Sequence, residues 1–244
     1  MADNSRIEWC DATWNPVYGC SAVSPGCDNC YARTQMERFR KPWRVTRATE
    51  VRFDAPLHWK RPRRIFVCSM GDLFHPRVET AWLESIWRIM CLADWHTFLL
   101  LTKRPGRMAA WAHGSAQFRS HPWPAHIWAG TSVETAKYLP RLDVLARVPA
   151  KVRFVSFEPL LGPMRHLDTY IGLPARLGKP CVHWVIVGGE SGAEHRTMSL
   201  VGLGNIVDTC MQADVPVFVK QDSGRYPGKQ GRIPACLWAM KEMP

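Results

Sequence analysis

The stretch WVIVGGE, residues 184–190, decides the fold of this chain. It is apolar at consecutive positions through Val187 and then ends in two glycines and a glutamate. Runs of the same kind recur at starts roughly 30 residues apart: RIFVCSM from Arg64, TFLLLTK from Thr97, IWAGTS from Ile127, RFVSFEP from Arg153 and PVFVKQD from Pro216. Short, continuously apolar runs rich in Val, Ile and Phe are typical of strands buried on both faces of a parallel sheet.

Helix-like stretches separate these runs. Residues 78–95, 132–148 and 199–215 carry apolar side chains at helical spacing. In the second stretch, Ser132 offers an N-cap, and Pro140 is expected to break or kink the helix because it lacks an amide hydrogen. Strand and helix therefore alternate along the chain, which indicates a parallel sheet.

With TWNPVYGC (residues 13–20) as a first strand, the count reaches about seven. This is one short of a closed TIM barrel. The sequence predicts an α/β fold: an incomplete (β/α) TIM-like barrel of about six to seven parallel strands. A doubly wound sheet is the structural alternative. We expect a single domain over residues 1–244, with a basic insertion or connection at 40–64.

Ligands of parallel α/β folds bind at the carboxyl ends of the strands, so the residues that follow each run are expected to share one rim. Each of these segments carries a charged or hydroxyl residue. They are Asp72, Lys103, Arg104, Ser132, Glu134, Glu158, Glu190, Lys220 and Asp222. Their recurrence at the same phase of every unit favours a binding or catalytic site over a set of solvated loop residues.

The positive charge of the chain indicates what kind of partner it binds. The net charge is +11, and residues 40–64, the basic segment, hold nine Lys and Arg against two acids. Trp43, Phe53 and Trp59 lie among these cations. Lys and Arg neutralise phosphates and exposed aromatic rings stack on bases, so we expect nucleic acid as partner, DNA more than RNA. A solvated loop is the alternative. The candidate contacts are Arg44, Arg47, Lys60, Arg61, Arg63 and Arg64.

The remaining composition predicts a cytoplasmic protein without a membrane role. Charged residues make up 22% and hydrophobic residues 46% of the chain, as is usual for globular proteins. No apolar run approaches the roughly 18 residues of a membrane helix, and the first residues do not resemble a signal peptide. The oligomeric state is open, with a monomer favoured.

Three cysteines cluster in GCSAVSPGCDNCYA, residues 19–32, just before an expected helix; we call this stretch the cysteine loop. The pattern is C-x6-C-x2-C, formed by Cys20, Cys27 and Cys30. In a cytosolic chain, clustered cysteines indicate a metal or catalysis more than disulfides. A closed zinc site takes four ligands, and Cys10 or a histidine could supply the fourth. Three thiolates on a [4Fe–4S] cluster instead leave one iron open, the arrangement used in S-adenosylmethionine radical chemistry.

The chain resembles a phage- and bacterium-associated family of uncharacterised, three-cysteine, radical-SAM-like proteins. The resemblance spans nearly the whole chain. It rests on IEWCDATWNPVYGC, VSPGCDNCYA, RRIFVCSMGDLFH, LTKRP, VRFVSFEPLLGP, WVIVGGESG and VFVKQ. It implies a radical-SAM-like barrel with an iron–sulfur cluster, but not a substrate.

Two features depart from the usual radical-SAM pattern. The first cysteine gap is six instead of three, and the aromatic residue expected before the third cysteine is instead Tyr31, after it. The Gly-Gly-Glu-like segment expected after the second strand is matched by Gly71 and Asp72, which the resemblance assigns to the amino group of S-adenosylmethionine. The literal Gly-Gly-Glu at residues 188–190 follows the sixth strand, so the role is not transferred there.

These expectations define two function classes. In the first, the protein is an iron–sulfur radical-SAM-like enzyme that modifies or repairs a base or sugar of nucleic acid. Its cofactors are a [4Fe–4S] cluster and S-adenosylmethionine, the cofactor-binding residues include Tyr31, Ser132 and Glu134, and Cys10 is structural. The catalytic candidates are Glu158, Glu190, Lys220 and Lys103. In the second class, the protein is a non-catalytic, metal-stabilised nucleic-acid-binding protein linked to phage functions.

Overall fold

The computed structural model describes residues 5–114, 122–171 and 182–244. The chain forms two compact units. Unit 1 holds the described residues of Met1–Val23, Cys30–Ala129 and Val148–Lys151. Unit 2 holds those of Ser24–Asn29, Gly130–Arg147 and Val152–Pro244.

Nine strands are described. They are β1 (Ala12–Trp14), β2 (Val17–Tyr18), β3 (Thr46–Arg47), β4 (Arg64–Val67), β5 (Thr97–Thr102), β6 (Ile127–Ser132), β7 (Arg153–Phe157), β8 (Trp184–Gly188) and β9 (Val217–Gln221). Seven of them form one sheet in the order β1-β4-β5-β6-β7-β8-β9. β2 and β3 pair antiparallel on their own.

The sheet follows chain order from one edge to the other. β1 is parallel to β4, with Ala12 opposite Ile65, and β8 is parallel to β9, with Val185 opposite Val217. A doubly wound sheet reverses its strand order at a switch point, and this order has no reversal. The predicted α/β fold with seven parallel strands is therefore confirmed, and the strand order is that of an incomplete (β/α) barrel.

Seven α-helices lie within the described ranges. They are α1 (Tyr31–Arg38), α2 (Glu50–Phe53), α3 (Thr80–Leu92), α4 (Pro105–Gly114), α5 (Arg141–Leu145), α6 (Leu200–Gln212) and α7 (Ala235–Trp238). α1, α3 and α6 begin where the sequence predicts helices. Ser199 caps α6, because its side chain accepts a hydrogen bond from the amide of Gly202 at 3.1 Å.

The second predicted helix differs from its expectation. Ser132 ends β6 instead of capping a helix, and a short 3-10 helix follows at Ala136–Tyr138. α5 begins only after Pro140, which occupies its N-cap position. The predicted break at Pro140 is confirmed, because a proline at the start of a helix has no interior hydrogen bond to lose.

Each unit has its own apolar core. In unit 1, Trp14 and Phe98 are fully buried with ring centroids 5.9 Å apart, and the Trp14 indole donates to the carbonyl of Phe53 at 3.1 Å. In unit 2, Phe154 and Trp184 are fully buried with ring centroids 5.6 Å apart. All four of these aromatic residues belong to strands of the sheet.

The last strand of the sheet is covered by the chain beyond α7. The amide of Val219 donates to the carbonyl of Met240 at 2.8 Å, and the amide of Glu242 donates to the carbonyl of Val217 at 3.1 Å. Lys241 and Phe218 form an antiparallel bridge between these two bonds. The free edge of β9 is thereby paired within unit 2.

Candidate cysteine-loop site

The cysteine loop leaves β2 through Gly19, which has a φ of 81°. A Cβ at this position would lie 2.0 Å from the carbonyl oxygen of Arg44, so the position requires glycine for both its conformation and its space. The loop ends at Cys30, the N-cap residue of α1. Cys20, Cys27 and Cys30 are free and half-buried, whereas Cys10, Cys68 and Cys210 are buried.

Arg104 is the principal partner of Cys20 in unit 1. Its guanidinium donates to Cys20 Sγ at 3.2 Å and to the carbonyl oxygen of Ser21 at 2.8 Å. The Arg104 side chain is 10% exposed, so this contact lies in a largely dehydrated place. A fixed cation beside a thiol favours the thiolate form that metals bind.

Asp72 holds Arg104 in this orientation. Its Oδ2 accepts from Arg104 Nη1 at 2.8 Å, and its Oδ1 accepts from the Thr102 hydroxyl at 2.7 Å and from the amide of Phe74 at 2.9 Å. Both carboxylate oxygens are therefore in use, and the side chain is 8% exposed. The role of Asp72 toward the amino group of S-adenosylmethionine stays a prediction.

The ionisation of Cys20 reflects two opposing influences. Burial raises the pKa of the Cys20 thiol, and the negative charge of Asp72 raises it further. The charge and hydrogen bond of Arg104 act in the opposite direction and lower this pKa. Arg104 therefore offsets part of the cost of an anionic sulfur at this position.

A cavity of about 240 Å³ opens beside Cys20 in unit 1, and we call it the Cys20 cavity. Ser21, Trp43, Arg44, His75 and Arg77 are among its lining residues. The ring of His75 lies 2.8 Å from the Ser21 hydroxyl through Nε2, and its Nδ1 accepts from the amide of Arg77 at 3.1 Å.

Glu134 anchors the middle of the cysteine loop in unit 2. It is fully buried, accepts from the Ser24 hydroxyl at 2.7 Å and pairs with Arg141 at 3.1 Å. A Cβ at Gly26 would lie 2.3 Å from Glu134 Cγ, so the loop backbone passes directly over this side chain. Glu134, expected to bind cofactor, thus holds the loop that carries Cys27.

Glu190 forms a second anchor in unit 2. Its carboxylate accepts from Asn29 Nδ2 at 3.0 Å and from Arg196 Nη2 at 2.6 Å. Arg196 also donates to the carbonyl oxygen of Pro25 at 2.9 Å and pairs with Asp28 at 3.1 Å. Burial raises the pKa of Glu190, but the hydrogen bonds from Arg196 and Asn29 outweigh burial and leave this pKa lowered.

The structure brings two other candidate residues together. Lys220 Nζ lies 2.7 Å from Glu158 Oε1, and the Ser156 hydroxyl donates to Glu158 Oε2 at 3.0 Å. Both charged side chains are half-buried, at 22% and 15% exposure. A half-buried ammonium–carboxylate pair at the strand ends can exchange a proton with a bound molecule.

The remaining candidates lie apart from these pairs. Gly71 forms a parallel bridge with Gly19, and Lys103 is half-buried directly after β5. The Tyr31 ring is exposed, and its hydroxyl donates to the carbonyl oxygen of Ser69 at 2.6 Å. The carbonyl oxygen of Ser132 accepts from Arg141 at 2.7 Å.

Within the described ranges, no group of three or more His, Cys, Asp or Glu side chains is placed to hold a single metal ion. The chemistry of the donors nevertheless suits an iron–sulfur cluster. The three loop thiols are free and half-buried, and one of them accepts a hydrogen bond from a cation. Hydrogen bonds to ligand sulfurs are a recognised way in which proteins tune such clusters. Cys10 instead donates to the Ser5 hydroxyl at 3.4 Å in a buried place.

The basic segment does not present all of its cations equally. Arg47 pairs with Glu50, and Arg64 pairs with Asp11 at 3.1 Å, so these two charges are partly neutralised. The guanidinium of Arg63 lies 5.3 Å from the centre of the Trp59 ring. The exposed cations of the predicted set are Arg44, Lys60 and Arg61.

Several site residues were missed by the sequence reasoning. Ser24, Asn29, Arg141 and Arg196 bind the carboxylates that the sequence analysis assigned to cofactor or catalysis. A buried acid requires a cation or several hydrogen bonds, and this requirement was the signal that could have prompted a search for partners. The sequence does not say which cation would reach each acid.

These features place the chain in a class of α/β proteins that have an open parallel sheet and a three-cysteine loop bound to residues at the strand ends. The model of the family described as "Protein of unknown function (DUF5131)" matches residues 4–234. The chain therefore belongs to this family. No curated protein and no solved structure matches the chain. Among the described residues, no helix is both long and apolar enough to cross a lipid bilayer.

Proposed function

We propose that the protein is an iron–sulfur, radical-SAM-like enzyme that modifies or repairs a base or sugar of nucleic acid. The observation that carries the proposal is the half-buried, three-thiol loop in which Arg104 donates to Cys20 Sγ at 3.2 Å. A structural thiol needs no cation fixed beside it, whereas a ligand sulfur that carries negative charge is stabilised by one.

Cys20, Cys27 and Cys30 would bind three irons of a [4Fe–4S] cluster. Bound at these thiols, the cluster would supply the one-electron reduction of S-adenosylmethionine on which radical removal of hydrogen from the substrate depends. Arg104 stabilises the Cys20 sulfur, and Asp72 orients Arg104. A ligand ammonium that binds Asp72 must share the carboxylate with Arg104.

The Glu158–Lys220 pair serves this function as the acid and base. Its 2.7 Å contact joins an ammonium to a carboxylate near the strand ends. Partial burial raises the strength of this interaction relative to a surface pair. The pair is suited to exchange a proton with a polar substrate group or to anchor that group.

One observation favours the second function, a metal-stabilised nucleic-acid-binding protein without turnover. Glu134 and Glu190 are both engaged by arginines and by side chains of the cysteine loop. Two of the predicted rim acids therefore stabilise the loop in place of facing a substrate. In this function, the metal and the two anchors hold the loop and the basic segment contacts phosphates.

Anaerobic purification first tests whether the protein holds the cluster that the enzyme requires. We expect brown protein with about four irons and matching sulfide, since a [4Fe–4S] cluster contains both. Cys20→Ala, Cys27→Ala and Cys30→Ala should each lose the iron. The matched control is Cys10→Ala, which replaces a buried cysteine of the same chain and should keep it.

Reduction with dithionite in the presence of S-adenosylmethionine then tests turnover. The enzyme should release 5′-deoxyadenosine, and Asp72→Asn should weaken cofactor binding while the iron content stays intact. Colourless protein with one tightly bound zinc would exclude the enzyme. A full cluster that neither binds nor cleaves S-adenosylmethionine would leave only the second function.

A further inference from the structure

We propose that the Cys20 cavity binds one nucleotide of a single-stranded nucleic acid, with its phosphate on Arg44 and Arg77 and its base against Trp43. This inference rests on the nucleic-acid part of the proposed function and names the place where the substrate enters. It is carried by three properties of the cavity: its charge, its hydrogen-bond donors and its size.

The charge of the cavity is positive. Its described lining residues include two exposed arginines, Arg44 and Arg77, and no carboxylate. Within the described part of the chain, neither arginine forms an ion pair with an acid. Burial lowers the pKa of His75, and the positive charges of Arg104 and Arg77 lower it further against the opposing influence of Asp72. A concave surface with unneutralised cations attracts an anion.

Ser21 supplies a neutral donor at the same place. Its hydroxyl oxygen lies 3.1 Å from Arg104 Nη2, which donates to it. His75 Nδ1 already accepts from the amide of Arg77, so a neutral imidazole carries its proton on Nε2 and donates it to Ser21 across 2.8 Å. With both acceptor positions of the Ser21 oxygen used, its own hydrogen remains for a ligand oxygen. A phosphate oxygen accepts such a hydrogen bond.

The size of the cavity favours part of a polymer. Its volume is about 240 Å³, below the range of ~300–1,000 Å³ for pockets that enclose a drug-sized ligand. One nucleotide unit can therefore enter while the rest of the strand lies outside. The neighbouring residues 40–64 carry the chain's densest positive charge and suit the continuing phosphates.

Trp43 favours single-stranded over double-stranded nucleic acid as the ligand. It is half-buried and lines the cavity, so it offers an aromatic surface beside the phosphate donors. A base can stack on tryptophan only when it is released from its neighbours in a duplex. The cavity is therefore expected to prefer single strands over duplexes, with little preference among bases.

Fluorescence anisotropy on the anaerobically purified protein tests the inference. The probe is a labelled, single-stranded oligothymidylate of about twelve nucleotides, a length within the range that single-strand-binding folds cover. Arg44→Ala and Arg77→Ala should each weaken binding by about tenfold, since each removes a charged hydrogen-bond donor. Trp43→Ala should weaken it by about 5- to 160-fold, the range of one lost base stack, and Trp43→Phe should keep most of the affinity.

Arg88→Ala is the matched control, because it removes an exposed arginine of α3 in the same unit. Its affinity should equal that of the wild type, and thermal unfolding should show all variants folded. If the cavity variants match Arg88→Ala, the inference is wrong. It is also wrong if the complementary duplex binds as tightly as the single strand.

Competition distinguishes a phosphate that belongs to a nucleic-acid strand from a free phosphate. Unlabelled oligothymidylate should displace the probe far better than thymidine monophosphate or inorganic phosphate, because only the polymer also reaches the basic segment. Equal competition by inorganic phosphate would identify a site for free anions and overturn the inference.

Iron content and 5′-deoxyadenosine release separate this inference from the proposed function. If the protein holds no cluster but still binds the oligonucleotide through Trp43, Arg44 and Arg77, the proposed enzyme function is wrong and the proposed nucleotide site stands. A protein that holds the cluster and cleaves S-adenosylmethionine but shows no cavity dependence would do the reverse.

Discussion

Each unit of the molecule contains a buried carboxylate that is paired with an arginine, and the two arginines contact different groups. In unit 1, Asp72 turns Arg104 toward the sulfur of Cys20. In unit 2, Glu190 turns Arg196 toward the backbone carbonyl of Pro25. The first pair offers a cation to a thiol, and the second fastens the loop itself. Similar chemistry thus gives two kinds of contact, one to a thiol and one to the loop backbone, according to what the arginine reaches.

The exposure of the two pairs differs as well. Arg104 and Asp72 are 10% and 8% exposed, whereas Arg196 is 35% exposed beside a Glu190 that is 5% exposed. Water can therefore replace part of what Arg196 loses when its partner is removed, but little of what Arg104 loses. The comparison predicts a larger cost of disruption in unit 1.

Asp72→Ala should have the largest effect on stability. It leaves the guanidinium of Arg104 buried without its carboxylate and removes the acceptor of Thr102, so the free energy of unfolding should fall by about 3–5 kcal/mol. Urea unfolding measures this change. Asp72→Asn keeps an acceptor oxygen and should lose less. Equal stability of the wild type and Asp72→Ala would show that the pair does not hold Arg104.

Glu190→Ala should follow with a loss of about 2–3 kcal/mol, since the half-exposed Arg196 regains water. Urea unfolding again gives the value. Glu194→Ala is the control, because Glu194 is exposed in the same loop and only its carbonyl oxygen accepts from Asn29. It should leave stability unchanged. A loss at Glu190 larger than at Asp72 would reverse the comparison.

Gly26→Ala should cost about 1–3 kcal/mol, the usual range for overpacking. The added methyl group would meet the buried Glu134 side chain at 2.3 Å, so the loop must lift from its anchor. A matched change is Gly162→Ala, where a Cβ meets no atom within 4 Å. Differential scanning calorimetry should show a lowered melting temperature for Gly26→Ala alone.

The pH dependence of stability should show the smallest effect. The folded-state pKa of His75 lies below the ordinary 6.5, so the unfolded chain takes up the proton first and stability decreases as the pH falls below that value. The pKa of Glu190 lies below the ordinary 4.5, so its contribution is complete above that pH and is lost as the pH falls through the folded value.

Two variants assign these pH windows. Urea unfolding of His75→Gln should show a smaller first decrease, with the remainder from His96 and His183, whose pKa values burial also lowers. That of Glu190→Gln should show a smaller second decrease, since the pKa of Asp222 is lowered as well. A stability that rises on acidification through either window would contradict the sign of the corresponding shift.

The strands could be predicted because burial on both faces leaves a continuous apolar run such as residues 184–187. Residues 13–20 were predicted as one strand, but they divide between the end of β1 and β2, which pairs with β3 outside the main sheet. β2 and β3 have two residues each, and strands this short show no periodicity. The sequence predicted that Asp72 follows a strand, but it did not predict which residue pairs with Asp72. Arg104 reaches Asp72 from a loop 32 residues later, and only the folded chain determines that meeting.

In the cysteine loop, too, one feature could be predicted from the sequence and another could not. Its spacing predicts a metal site, because three thiols within eleven residues are expected in few other contexts. The anchors at Glu134 and Glu190 join residues 110 and 161 positions apart, and no local pattern encodes such pairs. The sequence therefore located the carboxylates, and the structure assigned their partners.

The covered edge of β9 has a consequence for association between molecules. An unpaired strand edge is a template on which a second chain can add a strand, and such addition begins many aggregates. The antiparallel contacts of Met240 and Glu242 occupy this template from within the same molecule. Loss of residues 240–242 would uncover a row of amides and carbonyls beside Val217 and Val219, and would turn a self-contained sheet into one that can recruit its neighbours.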